Sequence, residues 1–140
     1  MRIETARFGI LQLSRDAVIH FPWGIPGFEN LKKYVLLDHR EGPFKWLQSV
    51  DDPQVAFIVS PPEVVGVTYQ IPESQLRHLQ LEDREDLVVL VMISFDRRKN
   101  IPRPHFTGPL LFNAKNRQAL QWSIDPRELP KYQRLCTSNA

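Results

Sequence analysis

Four histidines, His20, His39, His78 and His105, are the first residues to test for chemistry, and their spacing argues against a metal site. No two stand at i,i+4 and no HExxH run occurs, so sequence neighbours assemble no ligand set. Cys136 is the only cysteine, which removes an internal disulfide and a CxxC site, and a nucleophilic thiol needs an oriented base that its C-terminal position does not suggest. There is no GxSxG elbow. Gly24 and Gly27 are not followed by the Lys-Ser/Thr pair or the long helix that a phosphate loop requires. Asp51 and Asp52 are adjacent and sit in a turn-forming run, where a carboxylate bonds the backbone ahead of it instead of sharing acid and base roles. The expectation is a protein without catalytic activity, metal or cofactor; a hydrolase would need a pocket in which perturbed titratable groups converge.

Two charged groups offer binding instead. Glu82, Asp83, Glu85 and Asp86 form a compact acidic run that suits a basic partner, or serves only as a solvated connection. Arg97, Arg98, Lys99 and Arg103 can contact phosphates, with Trp23 or Phe95 available to stack on bases, although single-strand binders usually interleave basic and aromatic residues on one sheet face. Net charge does not choose between them: 18 basic residues face 16 acidic ones, giving +2 and a pI near 8.9.

The elements that must carry these groups read mostly as strands. Twelve prolines in 140 residues exceed the usual ~5% and leave few windows long enough for a helix. The clearest signal is residues 44–60, where Phe44, Trp46, Gln48 and Val50 alternate with Lys45, Leu47 and Ser49, and Val55, Phe57 and Val59 repeat the period beyond an Asp52-Pro53-Gln54-Val55 turn. Further strands are expected over 2–13, 18–21, 34–37, 64–71, 106–113 and 119–124. Residues 87–95, continuously apolar, are expected to be a strand covered on both sides. Residues 29–33 are expected to make one helical turn and 72–79 the one plausible helix, with Pro72 at its start; residues 96–104 read as a loop. Trp46, Phe57, Leu90 and Phe112 are assigned to the core. The chain is long enough for one core and too short for two, so the fold class is mainly all-β: a small antiparallel β-barrel-like single domain over 1–140 with one or two short helices, and a peripheral segment from 125 ending in a frayed 137–140. The apolar run at 87–93 falls far short of the roughly 18 residues that cross a bilayer, and no signal core follows the N-terminus, so a cytoplasmic location is the default.

Three motifs in order resemble the flagellar assembly factor FliW family: GIPGFE at Gly24 to Glu29, FKWLQSVDDPQVAFIV at Phe44 to Val59, and HFTGPLLFN at His105 to Asn113 with Lys115, Asn116, Arg117 and Gln121 beyond. Together they extend over nearly the whole chain. The chain departs from the family at His105-Phe106-Thr107-Gly108-Pro109, where N-L-x-A-P is typical, at Ala119, where a glycine is common, and in being slightly basic instead of acidic.

The resemblance implies a small β-barrel-like protein without catalytic activity that binds flagellin in the cytoplasm and also binds CsrA, the RNA-binding translational repressor, with neither a membrane nor direct nucleic-acid contact expected. Flagellin occupancy and CsrA capture then compete for one limiting protein. Because CsrA must be basic enough to hold RNA, Asp51, Asp52, Glu82, Asp83, Glu85 and Asp86 become its candidate contacts. Exposed apolar residues near Val64, Val65 and Val67, offering a groove or sheet edge, become those of flagellin. A small nucleic-acid-binding barrel is the alternative.

Overall fold

The computed structural model describes residues 1–39, 42–96, 98 and 101–136. Arg97, Lys99 and the expected frayed end at 137–140 lie outside them. Period-two alternation folds the N-terminus into a hairpin of β1 (Arg2–Thr5) and β2 (Gly9–Gln12), followed by β3 (Ile19–His20), β4 (Lys33–Asp38), β5 (Lys45–Ser49) and β6 (Ala56–Ser60). Then come β7 (Val67–Tyr69), α1 (Glu73–His78), β8 (Leu87–Asp96), β9 (Ile101–Pro104), β10 (Leu110–Asn113) and β11 (Gln118–Gln121), and finally α2 (Leu129–Tyr132) and β12 (Gln133–Leu135).

The ladder order β10-β11-β3-β4-β5-β6-β8, together with a β10–β8 pairing, returns to its starting strand, so these strands close into a barrel. The closing strand is β8. One edge takes β6 through Val91, Met92 and Ile93, and the other takes β10 at its start and β9 at its end. All pairings in the circuit are antiparallel except β11 with β3, which meet in parallel at Gln118 and His20.

β9 occupies part of the stretch that reads as a loop. His105 donates its backbone N–H to the Met92 carbonyl at 2.8 Å, so by strand alternation the N–H groups of 103 and 101 face β8 while those of 102 and 104 face outward. Both outward positions are proline. The free edge therefore lacks donors where an added strand would need them, which is how edge strands are kept from pairing with other chains. At residues 29–33 there is no helical turn: residues 29 and 30 are a non-helical turn, and β4 starts at Lys33.

Alternation divides the apolar residues among three clusters. Ile19, Phe21, Ile25, Tyr34, Leu47, Val59, Leu90, Leu110, Phe112 and Ala119 fill the barrel. Outside it, Leu111, Leu120 and Trp122 are covered by Leu79 after α1 and by Tyr132 of α2, and Val35 is covered by Ile3 of the N-terminal hairpin. Leu90 and Phe112 are core residues as expected, and Phe57 packs half-buried against the interior. Trp46 is not in the barrel. Its neighbour Leu47 points inward with 0% exposure, so Trp46 must point outward, where Phe8 meets it edge-on at 6.3 Å between ring centroids. Nor is β8 covered along its whole length, since Val88 and Phe95 are exposed.

Candidate partner-binding site

The turn between β5 and β6 shows what the LQS-x-DDP residues do. Gln48 is fully buried, and its Nε2 lies within hydrogen-bond reach of the carbonyls of Ser49 (3.0 Å), Val55 (3.2 Å), Pro53 (3.4 Å) and Asp52 (3.5 Å). The Ser49 hydroxyl accepts from the N–H groups of Asp51 and Asp52, and the Asp52 carboxylate accepts from Gln54 N–H at 3.0 Å. The hydroxyl and the carboxylate thus satisfy turn N–H groups, while three of the carbonyls near Gln48 also accept backbone N–H groups, Asp52 from Val55, Pro53 from Ala6 and Val55 from Ser49. Asp51 is exposed and Asp52 half-buried.

The second acidic group is set well apart. Glu85 and Asp86 lead into the start of β8, whereas Ile58, two residues after the first strand residue of β6, already pairs with Ile93 near the other end of β8. Most of a ten-residue strand separates the groups, so the fold does not merge them into one patch. Asp83 caps a short 3-10 turn by accepting from Glu85 N–H at 2.9 Å. Glu82 pairs with Lys115 at 3.1 Å; this hydrogen bond and the carboxylate charge raise the Lys115 pKa, with Asp86 and Asp83 adding to the field. Glu82, Asp83 and Glu85 remain exposed.

The apolar positions near residue 64 do not form the expected surface. Val64 is exposed on a 3-10 turn, but Val65 is half-buried, and Val67 keeps only 3% exposure. Val67 opens β7, one edge of which is already taken by β12, with Val67 opposite Leu135. The reason is local: Gly66 adopts the left-handed conformation and turns the chain, so Val64 and Val67 do not share a face.

An apolar groove of about 530 Å³ lies instead beside the Gly24–Glu29 loop, with Phe28, Trp46, Phe57, Phe95, Arg7 and His105 among its walls. The loop is held by its own backbone. Gly24 has φ +69°, and a Cβ there would stand 2.7 Å from Glu29 Cα; Phe28 N–H reaches the Ile25 carbonyl at 2.7 Å. Glu29 Oε1 accepts from Gly27 N–H at 3.0 Å, and that bond, followed by one from its own N–H, lowers the Glu29 pKa. Ile25 is driven into the barrel at 1% exposure, leaving Pro26 and Phe28 outside. Phe28 meets Phe57 edge-on at 5.1 Å, and Phe57 in turn lies 6.3 Å from Tyr34 in the interior. Burial of the Tyr34 phenol pushes its pKa up to about 12.

The far wall depends on Gly108. A Cβ at that position would come within 2.6 Å of the His105 ring and 2.5 Å of Gln121 Nε2, both of which line the groove. Arg7, at the tip of the N-terminal hairpin, lies over the Trp46 ring with its guanidinium carbon 4.1 Å from the centroid. Among the described residues no carboxylate lines this groove. A second groove of about 360 Å³ flanks the other side of the loop, with Trp23 and His78 in edge contact at 5.9 Å and Glu29 on its wall. Phe95 and the GIPGFE loop are visible separately in the sequence; their meeting at one groove needs the barrel closure that brings β6, β8 and the loop together, and Trp23 lies instead at the second groove.

Comparison with known proteins gives this surface a context. Residues 2–134 match the FliW protein family. A flagellar assembly factor FliW of Thermoanaerobacter pseudethanolicus is 37% identical over 132 residues, covering 91% of this chain and 88% of that relative. One from Azoarcus sp. is also 37% identical, over 135 residues, with 89% and 92% covered. A crystal structure of the flagellar assembly factor FliW superposes with a TM-score of 0.80, covering 90% of each chain at 24% identity, a likeness of fold.

Proposed function

This chain belongs to the FliW family, and from that premise we propose that it is a cytoplasmic, non-catalytic partner switch that binds flagellin and, when flagellin is absent, the translational repressor CsrA. Two binding equilibria coupled through one limiting protein suffice: an excess of either ligand withdraws it from the other. The observation that carries the binding role is the match over residues 2–134; an exposed groove rich in aromatic side chains beside a self-braced loop supports it, because aromatic residues and Arg dominate the energetics of protein contacts. For CsrA, the exposed carboxylates of Glu82, Asp83 and Glu85, with Asp86, Asp51 and Asp52, supply charge of the sign a basic partner needs. Val64 remains an exposed apolar contact candidate for flagellin.

The test is a titration of the purified protein against flagellin monomer and CsrA, singly and in competition, with a short RNA as control. Binding to both, with displacement of CsrA by flagellin, is the expected result. Alanine at Asp51, Glu82, Glu85 and Asp86, with asparagine at the capping residues Asp52 and Asp83 to keep their backbone hydrogen bonds, should weaken CsrA binding and flatten its salt dependence while leaving the thermal melt in place. Binding to RNA alone would replace the switch with a nucleic-acid module, and binding to flagellin alone would reduce it to a chaperone role.

A further inference from the structure

The two grooves beside the 24–29 loop differ in charge as well as size. Glu29 lines the smaller one. Among the described residues the larger holds no carboxylate, and the titratable walls described are Arg7 and His105, both exposed, in a surface otherwise built mainly from Phe28, Trp46, Phe57, Phe95 and aliphatic neighbours. A ligand that fits must bring apolar side chains for the floor and a negative group for the rim. The neighbouring free edge, β9, cannot dock that ligand as an ordinary added strand, because Pro102 and Pro104 replace its two outward N–H groups.

We propose that this groove receives an amphipathic helical segment of a protein partner, its apolar face against Phe28, Phe57 and Phe95 and a carboxylate on its flank against Arg7. The inference rests on the protein-binding reading above, and it assigns to the groove a partner chemistry that the acidic groups of this chain do not share. Those groups attract a basic surface, whereas the groove selects an acidic and apolar one. A helix satisfies its own backbone hydrogen bonds, so it needs none from the proline-blocked edge.

Fluorescence anisotropy with labelled synthetic peptides tests this. Three peptides about 16 residues long, some four helical turns, share a design: a Leu/Phe face flanked by Glu, the same face flanked by Lys, and a Ser face flanked by Glu. The first is expected to bind, and each of the others to bind about tenfold or more weakly. Phe95→Ser should cost the first peptide about tenfold, and Arg7→Glu should narrow or invert the preference for Glu over Lys flanks; Trp23→Ser should leave both unchanged. Thermal melts exclude misfolding of the variants. Equal binding of Glu- and Lys-flanked peptides, binding indifferent to Phe95→Ser, or binding lost with Trp23→Ser would each overturn the proposal. Flagellin monomer titrated against the same variants separates this failure from failure of the function: flagellin that binds the wild-type protein and Phe95→Ser alike leaves the switch standing and removes the groove.

Discussion

The β5–β6 turn and the Gly24–Glu29 loop carry two of the motifs in this chain, and they use their side chains in opposite directions. In the turn, polar side chains point inward at backbone: Gln48 gathers carbonyls, Ser49 accepts two N–H groups and Asp52 a third. In the loop, the backbone closes largely on itself, through Gly24, the Phe28 to Ile25 bond and the Glu29 clamp, and apolar side chains are left outside. A recurrent motif residue is therefore not automatically a contact residue. The turn motif builds the barrel; the loop motif builds a surface.

The strongest way to break this contrast is at the loop. Gly24→Ala must place a Cβ 2.7 Å from backbone of Glu29 at a φ of +69°, and backbone atoms cannot swing aside as a flexible side chain can. The expected destabilisation is roughly 2–4 kcal/mol, a fall in Tm on the order of 10 °C, read by thermal melt. Partner binding measured well below the melt should also fall, because the loop that holds Phe28 and Pro26 is displaced. Wild-type stability in Gly24→Ala would mean that the loop is not braced as described.

Directly behind the loop, Tyr34 probes whether the interior is as sealed as the surface is open. Its residue is fully buried, its hydroxyl has no hydrogen-bond partner among the described residues, and its pKa is pushed up to about 12 from 10. In the unfolded chain the phenol ionises near pH 10, so the unfolded state loses its proton first. Stability is then fully present below pH 10 and is lost as pH rises towards 12, by about 2–3 kcal/mol from this group. Denaturant unfolding at pH 9 to 12 should show Tyr34→Phe losing less stability than wild type over that window. Parallel pH profiles would mean that water reaches the phenol through the groove end of the barrel.

How far the sequence reveals these features follows from their range. The β5–β6 hairpin is legible because its signal is local, with period-two alternation on either side of a turn, and α1 because Pro72 and Glu73 mark its start. β9 is not legible, since Pro102 and Pro104 read as breaks; only pairing with β8 shows that prolines whose missing N–H groups face outward are compatible with an edge strand. Trp46 looks like core by hydrophobicity, yet which parity faces inward is decided by barrel closure, which favours Leu47. The acidic residues and the Val64 region were visible as composition. The groove was not, because Phe28, Phe57 and Phe95 are remote in sequence and meet only through the ladder between β6 and β8 and the return of the loop across the barrel end.

The smallest effect sharpens the turn half of the comparison. Gln48→Ala removes an amide that lies near four carbonyls, but it also removes an Oε1 that, among the described residues, has no partner in its buried position, and the Ser49 N–H to Val55 carbonyl bond at 2.9 Å still closes the turn. Loss and relief oppose each other, so the expected cost is about 1–2 kcal/mol, less than a buried polar group with every atom satisfied would give. Hydrogen exchange should report the loss locally, as faster exchange of the Ser49, Asp51 and Asp52 amides, with the barrel interior keeping its protection. Asp51→Ala is the matched control, since its carboxylate makes no hydrogen bond among the described residues; it should leave both stability and exchange unchanged. If Asp51→Ala loosened the turn as much as Gln48→Ala, the turn would depend on charge instead of inward hydrogen bonding, and its two aspartates would have to be read as part of the architecture before either could be assigned to a partner.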